Sequence, residues 1–286
     1  MIRLIGAEMF KLRKRTMTRV LLYVLIGIII VVYFLLLAIS NVHLPSTGPR
    51  MGNIQNMLGL PLALPFAMAL LSSLGAVLAI ILVASSIGNE YNWRTIRTAV
   101  VSSESRFKLL FAKLISAAIM ILVGMVIALA VGFLMSLLTT AIGGYKFDFS
   151  FFSGSYAWDQ FLQFWRTFFI LIPFSLMGFM FAIVGRSAMP GIAFGIGILF
   201  LESIITTFMY LAGGWIAKVP NYFFNANVQA ISNLAGLPAG FGQGMGGGNS
   251  NIIPPSTTHA FITLGIYSII FLFVSFYLFK KRDVTG

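Results

Sequence analysis

Two histidines, seven carboxylates and no cysteine are the acid–base and nucleophilic equipment of this 286-residue chain. Without cysteine there are no disulfides, thiolate zinc sites, iron–sulfur clusters or thiol nucleophiles. His43 and His259 stand far apart in sequence, and no H-E-x-x-H, G-x-S-x-G or G-x-x-x-x-G-K-[ST] motif occurs. No metal site, resident cofactor or enzymatic centre is expected, so ATP-driven work would need a second chain to bind the nucleotide. A G-x-G-x-x-G match at Gly242, Gly244 and Gly247 falls in residues 236–248, which hold seven glycines in thirteen positions. A dinucleotide site needs a strand before the motif and a helix after it. Neither fits here, and the run reads as a flexible external loop.

Three groups of polar residues remain as candidates. Residues 89–108 bring acid, aromatics and base together: Glu90, Tyr91, Trp93, Arg94, Thr95, Ile96 and Arg97, then Ser105 and Arg106. A purely hydrophilic connector has no need of Tyr91, Trp93 and Ile96. Amphipathic aromatics suit a protein interface and equally the lipid headgroup belt. Short helices are expected at 90–100 and from 103 onward, the second capped by Ser102 or Ser103. The second group is the N-terminal stretch. At about 100° per residue, Ile2, Ile5, Met9, Leu12 and Thr16 gather on one side, and Arg3, Lys11, Lys14 and Arg15 on the other. That pattern predicts a helix lying flat in the interface under a membrane leaflet. The third is Glu202, a lone carboxylate inside an apolar run. It is a candidate for a transport pathway, or a packing acid that meets a hydroxyl on a neighbouring helix.

The elements that must position these residues are transmembrane helices. Apolar residues make up 59% of the chain and charged residues 9%, against roughly 25% charged in soluble domains. The mean hydropathy of +0.96 agrees. A spanning helix needs about 20 apolar residues, and six segments qualify: 20–40, 62–88, 109–142, 161–185, 189–212 and 260–279. The expected fold is an all-α membrane protein of six transmembrane helices, with an amphipathic interfacial helix at 1–19 and the membrane domain at 20–286. Residues 213–259 form a long external loop in this reading. Gly191-x-x-x-Gly195 permits a close helix approach, either within the subunit or at a dimer seam. The net charge of +12 fits a cytoplasmic membrane surface better than nucleic acid. Fifteen of the 19 Lys and Arg lie on the side of the termini and four on the other. The positive-inside rule therefore places both termini in the cytoplasm.

The stretch Asn89-Glu90-Tyr91-x-Trp93-x-Thr95-x-Arg97, followed by Ser105-Arg106 and then Lys113, resembles the type-2 permeases of bacterial ATP-binding-cassette exporters. In that family a similar E-x-x-x-G-T-x-R stretch follows the second span, with an S-R/K pair and a Lys after it. Arg94 stands here where many members carry Gly. The basic amphipathic N-terminus, the six spans and the long last external segment follow the same order. The resemblance implies a permease subunit in the bacterial plasma membrane. It would pair with a second permease subunit, as homodimer or heterodimer, and each would dock on a separate ATP-binding subunit. Residues 89–108 would supply the coupling helix, with Glu90, Tyr91, Trp93, Thr95 and Arg97 transmitting the ATPase motion. Alternating access would export an amphipathic or hydrophobic substrate such as a peptide, an antibiotic or a lipid-like molecule. The alternative is a secondary transporter or channel that works without an ATPase.

Overall fold

Each apolar run becomes one continuous helix, because a backbone in hydrocarbon must satisfy its own hydrogen bonds. A computed structural model describes residues 1–41, 59–93, 95, 105–143, 149–235 and 255–281. Helix α1 (Ile2–Lys14) leads through an extended Arg15 into α2 (Thr16–Asn41). Then come α3 (Ala63–Asn92), α4 (Arg106–Ile142), α5 (Gly154–Val184) and α6 (Ala188–Ala212). A 3-10 turn at Ile216–Tyr222 precedes the short α7 (Phe224–Ser232), and α8 (Thr257–Lys281) closes the chain. Six helices are long and apolar enough to cross a membrane, and there is no strand among the described residues. The protein is an all-α membrane protein.

Local chemistry sets several boundaries away from the hydropathy edges. The cap of α4 is Ser105, not Ser102 or Ser103: its Oγ accepts from the Lys108 amide at 3.2 Å. Residues 90–92 do not start a separate helix but extend α3, so Glu90 rides on the end of the second span. The fourth span begins a full turn and more before residue 161. Ser153 caps it by accepting from the Tyr156 amide, and the Tyr156 hydroxyl donates to the Pro61 carbonyl at 2.9 Å. At about 55 Å from end to end, α4 outruns the roughly 30 Å hydrocarbon layer.

Helices α3 and α5 form the buried centre, and α2, α4, α6 and α8 surround them with mostly outward-facing surface. Tyr33, Ile80, Phe174 and Leu264 belong to the larger apolar cluster, and Val83, Leu110, Phe179 and Phe279 to a second one nearer the termini. The Gly191-x-x-x-Gly195 face packs inside the subunit. A Cβ on Gly191 would stand 2.7 Å from both Ala84 Cβ and the Gly178 carbonyl oxygen, and one on Gly195 2.6 Å from Ile80 Cγ2. A Cβ on Gly88 would overlap the Ala188 backbone, so the 185–187 turn lies beside the end of α3. Phe107 at the start of α4 stacks on Phe276 near the end of α8, with centroids 5.7 Å apart. Both described chain ends therefore lie at one end of the bundle.

The expected external loop is partly built. Phe224, Ala226, Val228 and Ile231 of α7 are buried, and Phe224 stacks on Tyr267 of α8 at 4.7 Å. An apolar period inside a hydrophilic stretch formed a helix because α5, α6 and α8 offer it a face to cover. The glycine-rich residues 236–248 lie outside the described ones.

Candidate functional site

Five charged side chains converge where α1, the end of α3 and the start of α4 meet. Lys113 Nζ lies 2.7 Å from Glu8 Oε2 and 2.6 Å from Glu90 Oε1. Lys11 approaches Glu8 Oε1 at 2.7 Å, and an Arg15 guanidinium nitrogen stands 3.3 Å from Glu90 Oε1. Lys113 is 1% exposed, Glu90 3% and Glu8 5%. Three cations thus surround two carboxylates. Charges this deep persist only when paired and hydrogen-bonded. Burial by itself raises the Glu8 pKa, but the charges and hydrogen bonds of Lys113 and Lys11 reverse that and hold it below the usual carboxyl value.

Neighbouring backbone completes the junction. Arg15 donates to the Ser86 and Ser85 carbonyls at 2.9 and 3.3 Å, placing a cation near the C-terminal end of α3, where the helix dipole favours it. The Ser116 hydroxyl, a turn beyond Lys113, donates to the Ile5 carbonyl at 3.1 Å. Glu90 Oε2 is buried without a hydrogen bond among the described residues. It points to an acceptor still open at the root of residues 93–105.

The coupling candidates separate by direction. Glu90 is turned inward and joins helices. Tyr91 packs against the apolar cluster of Val83 and Ile87. Trp93 ends α3 at 61% exposure, with the Arg15 guanidinium 5.6 Å from its ring. Thr95 Oγ1 lies 3.5 Å from the Glu90 carbonyl. Arg97 lies outside the described residues, as do 94 and the rest of 96–104.

The basic residues of α1 and its C-cap do not share one environment. Arg3, Lys11 and Lys14 are exposed, but Lys11 also reaches Glu8 and the half-buried Arg15 reaches Glu90, because buried carboxylates require counter-charges. Leu12 is buried, whereas Ile2 and Phe10 are exposed. Sequence reasoning passed over Glu8 and left Lys113 without a partner. The available signals were the single acid of the N-terminal helix and a lysine inside the third apolar run.

Glu202 stands apart from this cluster. It is buried, and its Oε1 accepts the backbone N–H of Asn225 in the first turn of α7. A carboxylate there satisfies an orphan donor and faces the positive end of the helix dipole. It meets a backbone amide rather than a hydroxyl of a neighbouring helix. Asn227 Nδ2 donates to the Phe223 carbonyl at 2.6 Å and to that of Asn221 at 3.0 Å. The Tyr267 hydroxyl donates to the Tyr222 carbonyl at 2.9 Å. The Asn227 bonds close the turn before α7, and the Glu202 and Tyr267 bonds tie that turn and α7 to α6 and α8.

Among the described residues, no group of three or more His, Cys, Asp or Glu could hold a metal ion. Among curated proteins the chain is similar to "Uncharacterized protein YhcI" of Bacillus subtilis (strain 168), with 26% identity over 227 residues. The match covers 74% of this chain and 66% of that relative, slightly less than two thirds of its length. Residues 62–285, which include Glu90, Lys113 and Glu202 but not α1, match the family described as "Protein of unknown function (DUF2705)", and the chain belongs to that family.

Proposed function

We propose that the chain is the membrane-spanning permease subunit of an ATP-binding-cassette exporter. The observation that carries the reading is the buried cluster of Glu8, Lys113, Glu90, Lys11 and Arg15. It ties the root of residues 93–105 to the N-terminal helix and the third span. A push on that loop, delivered through the exposed face of Trp93, moves α1, α3 and α4 as one body, because separating the charges would leave them buried and unpaired. This suits a subunit that receives motion from a separate ATPase and reshapes a cavity shared with a second permease subunit. The substrate class is an amphipathic or hydrophobic molecule. Glu202 bears against a secondary transporter: such proteins place free ionisable groups around a substrate at mid-membrane, and here its oxygen is engaged by α7.

In this reading α1 lies in the interface, the protein sits in the bacterial plasma membrane, and both termini are cytoplasmic. A C-terminal reporter fusion that signals from the outside would overturn the orientation. The central test is affinity purification of the detergent-solubilised chain. An ATP-binding-cassette ATPase should travel with it, and Trp93→Ala should weaken that association while leaving membrane insertion intact. Purification without any ATPase, under conditions that retain the folded chain, sinks the proposal.

A further inference from the structure

A cavity between the first three spans supports an inference that does not depend on an ATPase. A space of about 690 Å³ opens between α1, α2, α3 and α4, within the size range of built small-molecule sites. Leu25, Leu71, Leu78 and Met125 contribute to an apolar wall, while Arg13, Lys14 and Arg19 line the end nearest α1. No Asp or Glu lines it among the described residues. The neighbouring Lys11 and Arg15 are paired with Glu8 and Glu90. Arg13, Lys14 and Arg19 are exposed and make no ion pair among the described residues. Lys14 Nζ rests over the Phe10 ring, 5.6 Å from its centroid. An apolar space with three uncompensated cations at one end is complementary to an anionic amphiphile.

Its dimensions select the class. The wall along α3 runs from Leu82 to Leu71, a rise of about 16 Å, close to half of the roughly 30 Å hydrocarbon layer. That is the depth of one leaflet, with the charges at headgroup level. Gly75 and Gly124 both line the cavity, and a Cβ on Gly124 would meet nothing within 4 Å. We propose that the cavity binds one anionic phospholipid from the leaflet on the side of the chain termini. Arg13, Lys14 and Arg19 hold its phosphate, and an acyl chain lies along α3 past Gly75 and Gly124. Basic pockets between spanning helices recognise anionic headgroups in this way.

The test is native mass spectrometry of the full chain in neutral detergent. It uses phosphatidylglycerol, phosphatidylcholine with the same acyl chains, and inorganic phosphate as probes. Phosphatidylglycerol should be retained about tenfold better than phosphatidylcholine. The combined Arg13→Gln, Lys14→Gln, Arg19→Gln variant should lose that preference. Gly124→Leu, which fills open space without touching the charges, should lower retention of phosphatidylglycerol. Equal retention of the two lipids overturns the proposal, as does a combined variant that keeps the preference. Displacement of phosphatidylglycerol by equimolar inorganic phosphate would make this a plain anion site. A chain that purifies as a dimer and binds no lipid would make it a subunit contact. Thermal unfolding of each variant, expected to stay near that of the parent, separates lost binding from lost folding.

Discussion

Glu8 and Lys113 are 105 positions apart in the chain, yet their carboxylate and ammonium groups are 2.7 Å from each other in a buried site. The contact fastens the N-terminal helix α1 to the first turns of the spanning helix α4. Lys113 also meets Glu90 at 2.6 Å, so one ammonium group joins three helices.

Removing the shared cation should be costly. Lys113→Met leaves Glu8 and Glu90 facing each other with less compensation, and should destabilise the fold by about 3–5 kcal/mol. The triple variant Glu8→Gln, Lys113→Met, Glu90→Gln should recover most of that loss, because no buried carboxylate is then left without its ammonium partner, while Lys11 is open to solvent and Arg15 keeps the Ser85 and Ser86 carbonyls. Thermal unfolding in detergent compares the two. A triple variant no more stable than Lys113→Met would show that the cluster does not act as a unit.

The depressed pKa of Glu8 predicts a pH dependence with a definite sign. A carboxyl group whose folded pKa lies below its unfolded value of 4.5 stabilises the fold above that value. The contribution disappears as pH falls through the folded pKa. The stability difference between the parent and Glu8→Gln should therefore be full near neutrality and shrink once the pH drops below about 4.5. A difference that stays constant down to about pH 3 would remove the ion pairs as its cause.

Glu202 acts through the oxygen that receives the Asn225 amide. Glu202→Gln retains an acceptor and should keep most of the stability. Glu202→Leu removes it and should cost about 1–2 kcal/mol, the range for loss of a helix cap. Equal stability of the two variants, read by thermal unfolding, would show that the cap is unimportant.

Close helix contact at Gly191 is a packing requirement of the single subunit. Gly191→Leu would drive its side chain against Ala84 and the Gly178 carbonyl. It should lower stability by at least about 1–3 kcal/mol. Gly124→Leu, at an open position, serves as the matched control. Similar yields of folded protein from both would contradict the tight α3–α6 seam.

The spanning architecture is legible in the sequence because hydropathy, helix length and the exclusion of charge are local properties. The apolar runs around 20–40 and 189–212 could be little else in a chain this hydrophobic. The crowding of Lys and Arg toward one side is likewise a matter of counting along the chain. Tertiary structure alone decided that Glu90 turns inward, toward Arg15 and Lys113. Its neighbours in sequence are asparagine and tyrosine, and the cations that hold it come from the α1–α2 junction and from α4. It alone decided that Glu202 caps a helix whose first turn lies 23 positions further along, and that Gly191 faces α3 within one subunit. A side chain's charge shows that burial will require a partner. Which partner arrives depends on how helices remote in sequence are brought together, and no local pattern encodes that.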